Sequence, residues 1–108
     1  MLLIVTKYLI PKGYRGLTVF PFVFISQQSE KHNAVLIHHE RIHLRQQMEL
    51  LVLPFFVWYA FEFLLKWVWY RDRKKAYRNI IFEREAYDQE KNFAYLKSRS
   101  FWRFLKYF

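Results

Sequence analysis

The sequence contains no cysteine. Disulfides and thiolate ligands are therefore excluded, and any bound metal must rest on histidine and carboxylate groups. Glycine occurs twice and proline three times, so sharp turns are scarce and long helices are favoured. Acidic residues are outnumbered, with nine Asp and Glu against 18 Lys and Arg, for a net charge of +9. No histidine follows His43. The longest unbroken apolar run, residues 50–61, has 12 residues, short of the roughly 20 needed to cross a bilayer. Internal repeats and low-complexity tracts are absent.

A chain of 108 residues is expected to form one domain with one modest core. Its composition is apolar, at 54% hydrophobic and 22% aromatic residues. The positive charge is uneven: 12 of the 18 basic residues lie from Lys66 onward, and five of those fall within residues 71–78. Trp67, Trp69, Tyr70 and Tyr77 are interleaved with them. Aromatics flanked by cations suit an anionic membrane interface, although the same residue types can stack on bases. With no recognised nucleic-acid motif, the membrane surface is the favoured partner and nucleic acid is not expected. Residues 1–10 are apolar but lack a basic start, contain Lys7 and offer no small-residue cleavage site, so they do not read as a signal peptide. The chain is expected in the cytoplasm or at a membrane.

The pattern predicts an α+β fold, mostly helical, within a single domain. Residues 1–26 read as a β element, a hairpin or two short strands. Pro11, Gly13 and Gly16 break it, and Pro21 marks an edge or a bulge. Residues 27–33 read as a loop that ends in Asn33, a helix N-cap. Three to four helices follow. One covers 34–53 and is ended or kinked by Pro54. An apolar helix covers 55–70, where Glu62 and Lys66 can pair. A third covers 76–91, after a charged junction at 71–75. Residues 93–108 form an amphipathic tail, set to pack on the domain or on lipid.

The first helix carries the chemistry. His39-Glu40-Arg41-Ile42-His43 reads His-Glu-x-x-His, which places two imidazoles one turn apart on one face. Neutral imidazoles at that spacing can share a Zn²⁺ ion, and the intervening Glu40 can serve as general base. Leu36, Gln46, Gln47 and Leu50 continue the same stripe. A third ligand is needed, and it must be a carboxylate. Glu49 is on the same helix as the pair, and Glu62 has Lys66 beside it. Glu83, Glu85, Asp88 and Glu90 on the third helix remain available. His38 points about 100° away from His39, and His32 and His38 read as bystanders. Gln46 and Gln47 read as surface or inter-helix hydrogen-bonding residues, and Glu85 as a solvated charge.

His39-Glu40-x-x-His43 followed by Glu83-Arg84-Glu85-Ala86 resembles the gluzincin clan of zinc metallopeptidases. It is most similar to minigluzincin-type domains and to the membrane branch that includes the CAAX prenyl endopeptidases. The resemblance spans residues 35–90, and Gln46-Gln47 matches an extension found in some small members. It implies a minimal zincin-like domain with Glu83 as third ligand to Zn²⁺ beside His39 and His43, and with Ala86 as the small residue that lets two helices approach. The family's Asp, which orients a liganding histidine, is Tyr87 here. That leaves its role to Tyr87 or Glu85.

Together these features predict a zinc metallopeptidase that hydrolyses a peptide or protein substrate with Glu40 as general base. Tyr77 and Tyr87 are candidate oxyanion donors, and the edge of the β element could receive an extended substrate by strand addition. The alternative is a non-catalytic, basic, aromatic-rich adaptor at the membrane surface, with structural metal or none.

Overall fold

The computed structural model describes residues 2–6, 8, 10 and 14–108, with the side chain of Ser29 left out. The break expected at Pro11 and Gly13 lies outside the described residues. The fold is α+β and mostly helical, with its sheet at the N-terminus, as the sequence pattern predicts.

Among the described residues three strands, not two, form that sheet: β1 (Leu2–Val5), β2 (Gly16–Val19) and β3 (Phe22–Ile25), in the order β1-β3-β2. β1 runs parallel to β3, and β2 runs antiparallel to it with Thr18 opposite Val23. The run at 17–26 divides into two strands because Pro21, which has no N–H to donate to a ladder, sits in the connection between them. Alternation along β3 buries Val23 and Ile25 against Leu36 and Leu44 of the first helix. β2 is left at the sheet edge.

A short 3₁₀ turn, Gln28–His32, occupies the expected loop. Asn33 then caps α1 (Ala34–Leu50), its Oδ1 accepting from the Leu36 N–H at 3.1 Å. The helix stops where Leu51 turns to φ 64°. Pro54 falls in the first turn of α2 (Val52–Tyr70), where a missing N–H costs nothing.

The helix expected over 76–91 is two helices, α3 (Arg73–Arg78) and α4 (Ile81–Gln89). The break has a tertiary cause. Glu62 of α2 accepts a hydrogen bond from the Ile81 N–H at 3.0 Å and so caps α4 from outside. Lys66 pairs with Glu62 at 2.7 Å and also donates to the carbonyl of Asn79. The Asn79 side chain in turn satisfies the Lys75 carbonyl at the end of α3. Around this joint, Phe55, Ile80, Ile81, Phe82 and Phe104 form the main core.

The tail is likewise not one amphipathic segment. α5 (Tyr95–Ser98) is followed by a 3₁₀ turn at Arg103–Tyr107. Tyr95, Arg99 and Phe104 are buried in the domain, whereas Phe93, Phe101 and Phe108 are exposed.

Candidate metal centre

α1 and α4 pack closely where Ile42 meets Ala86, both without solvent exposure. That contact sets the carboxylate of Glu83 beside the two imidazoles. Glu83 Oε1 lies 3.1 Å from Nε2 of His39 and 3.1 Å from Nε2 of His43. All three residues are buried, and the three possible ligand atoms lie within 4.8 Å of one another.

Further hydrogen-bonding groups stand behind these atoms. Nδ1 of His39 lies 3.0 Å from Oε2 of Glu90, and Nδ1 of His43 lies 2.8 Å from Oε1 of Gln46. The Gln46 amide is itself oriented, because its Nε2 donates to the Phe82 carbonyl at 3.1 Å and to Glu85 Oε1 at 2.8 Å. Both Nδ1 atoms face acceptors, so a neutral ring that donates there keeps its Nε2 lone pair for a metal. Two imidazole nitrogens and a carboxylate oxygen converge in a buried space, a grouping that could hold a metal ion. The donor set fits Zn²⁺, which takes imidazole and carboxylate ligands and keeps a fourth position in catalytic sites.

Without a metal, His43 and Glu83 pair with each other. Burial works against a charge on His43, but the Glu83 carboxylate, with help from Glu40 and Gln46, outweighs it and raises the ring to about 9. Burial likewise opposes the Glu83 charge, and the two histidines overcome it, holding the carboxyl well below its usual range. The second Glu83 oxygen accepts from the Tyr59 hydroxyl at 2.7 Å.

Glu40 turns from the same helix toward β2. The Thr18 hydroxyl donates to its Oε2 at 2.9 Å, and burial raises the Glu40 carboxyl above its ordinary value. Gln47 ties the edge strand to α1, donating to the Thr18 carbonyl at 2.8 Å and accepting from the Phe20 N–H at 2.7 Å. A cleft of about 540 Å³ opens between β2 and the inner face of α2, and Glu40, His43 and Glu83 all line it. Tyr77 also faces this cleft. Its hydroxyl is kept protonated by burial and by the nearby Glu83 charge.

The fold thus brings His39, Glu40, His43 and Glu83 into one place. Several supporting residues differ from expectation. Glu85 is not solvated. It is fully buried and takes hydrogen bonds from Gln46, from Tyr95 at 2.6 Å and from Arg99, whose Nη2 lies 3.1 Å away. Arg99 also reaches Glu49 at 2.6 Å. Gln46 and Gln47 are buried inter-element bonding residues rather than surface groups, and Gln46 contacts the site directly. Tyr87 does not replace the orienting Asp. Its ring packs against His39 at 4.5 Å between centroids, and its hydroxyl meets that of Tyr77 at 3.2 Å. It is the Glu90 carboxylate that meets Nδ1 of His39. Its seven-residue spacing from Glu83, two turns along one face, is the signal that could have found it. Tyr59 and Thr18 carry no sequence motif. His38 is buried against the Phe93 ring, 5.5 Å away, and His32 is exposed; neither joins the cluster.

No protein-family model, curated protein or solved structure matches the chain.

Proposed function

We infer that this chain is a zinc-dependent peptidase of gluzincin type, with His39, His43 and Glu83 as ligands and Glu40 as general base. The observation that carries the reading is the meeting of both Nε2 atoms on one Glu83 oxygen, beside a second buried carboxylate in the same cleft. Bound there, Zn²⁺ would acidify a water to a pKa of about 7 and polarise a carbonyl.

The chain's own residues supply the rest. Glu40 takes the proton of the attacking water and returns it to the leaving amide nitrogen. Its raised carboxyl suits both halves of that exchange, since a base poised nearer neutrality also serves as an acid. Thr18 holds the carboxylate in position. Glu90 and Gln46 keep the two imidazoles in the tautomer that presents Nε2. β2 lies at the sheet edge, and the part of that edge not bonded to Gln47 is open to an extended substrate strand; Tyr77, which lines the cleft, is the candidate donor to a tetrahedral oxyanion.

The test compares Glu40→Gln with the natural chain. The variant should hold zinc as tightly and lose hydrolysis of an unstructured protein substrate by a hundredfold or more, in the range of about 10²–10⁴ that a positioned base contributes. Undiminished hydrolysis by Glu40→Gln would rule out this mechanism.

A further inference from the structure

α2 has two unlike faces. Its inner face places Phe55 and Glu62 in the interior and sets Tyr59 on Glu83. On the opposite side Leu53, Val57, Phe61, Leu64 and Val68 are all exposed, Val68 at 79% and Leu53 at 74%. At 100° per residue these five side chains fall within an arc of about 80°, so they form one stripe along a helix of 19 residues in which an 18-residue window has mean hydropathy 1.3. Exposed apolar stripes of this length are rare on proteins that meet only water.

We propose that this outer face of α2 lies flat on an anionic lipid bilayer. The charge around the stripe selects that occupant. Glu62 is the sole acidic residue of α2, and it is buried and paired with Lys66. Arg71, Asp72, Arg73, Lys74 and Lys75 follow directly at the C-terminal end, all five exposed, and four cations against one carboxylate leave that end net positive. Trp67 and Trp69 precede them and are exposed as well. An apolar stripe that ends in aromatics and a cluster of cations matches the acyl boundary, the headgroup level and the anionic surface in turn. A second copy of this chain would bring its own net charge of +9, which opposes self-association. Crossing the bilayer would pull Glu62 and Lys66 away from Ile81 and Asn79, whereas lying on it leaves those bonds intact. Docking in this way is independent of the hydrolytic reading.

Co-sedimentation of the full chain with vesicles tests the proposal. Equimolar phosphatidylglycerol and phosphatidylcholine should bind it, and pure phosphatidylcholine should bind at least about tenfold more weakly. Phe61→Asp, at an exposed position, should weaken binding to the anionic vesicles by about tenfold or more, because a buried Phe contributes that much. Reversing both Lys74 and Lys75 to Glu should weaken it about thirtyfold or more. The helical circular dichroism of both variants should be unchanged. Absence of binding to anionic vesicles, or equal binding by Phe61→Asp, overturns the proposal. So does a dimer that Phe61→Asp returns to monomer while the natural chain ignores vesicles.

Discussion

Gly16 lies so close to Glu40 that a methyl group on its Cα would stand 2.7 Å from Oε1 of the carboxylate. The edge strand can meet the proposed base at that distance only because residue 16 has no side chain. The nearest atom is the far end of a flexible glutamate, so a larger residue there would displace the carboxylate rather than break the sheet. Gly16→Ala is therefore expected to fold normally and keep its zinc. Its hydrolytic kcat should fall by about a hundredfold, the cost of misplacing a reacting group by roughly 1 Å. Steady-state kinetics with parallel metal analysis checks this.

Glu90 should matter to the metal without touching it. It accepts from Nδ1 of His39, and loss of such an orienting partner typically weakens metal affinity about 10- to 100-fold. Competition with a chelator of known affinity should show that loss for Glu90→Ala. Glu90→Gln retains an acceptor oxygen and should lose less.

Glu85 should matter chiefly to stability. Its carboxylate and the Arg99 guanidinium have no solvent exposure, and Glu85→Ala leaves Arg99 with Glu49 as its one carboxylate partner among the described residues. Removing one partner of a buried ion pair costs about 3 kcal/mol or more. Urea denaturation of the zinc-loaded chain should show a loss of that size, and a loss below about 1 kcal/mol would contradict the buried network.

The metal-free chain should lose stability as pH rises. His43 titrates near 9 when folded, against an ordinary value of 6.5, so between those values the folded state holds a proton that the unfolded state has released. The His43 contribution is complete below about 6.5 and is lost as pH rises through 9, while that of Glu83, whose carboxyl is held low, is lost only in acid below its ordinary value of 4.5. Zinc reverses the slope, because protons compete with the metal for the same nitrogens. Thermal melts at several pH values, with chelator and with zinc, separate the two trends.

The sequence pattern discloses what is local. Asn33 as a cap, α1 as a helix and the His39–His43 pair all follow from spacing within a few residues. Glu83 is one of four carboxylates on the expected third helix, and only a family resemblance separates it from Glu85, Asp88 and Glu90. What is not legible depends on distant partners. The α3–α4 break arises because Glu62, 19 residues earlier, caps Ile81. Glu85 reads as solvated because nothing nearby reveals that Arg99, 14 residues on, will be buried against it. The third strand is hidden because β-forming residues continue across Pro21 without a change in composition.

Zinc content of the purified chain, measured by elemental analysis after dialysis against trace zinc, addresses the central claim most directly. The natural protein should retain one zinc per chain, and folded His43→Ala should retain essentially none. A natural chain that emerges without zinc, or a His43→Ala variant that keeps a full equivalent, would contradict a metal held by His39, His43 and Glu83.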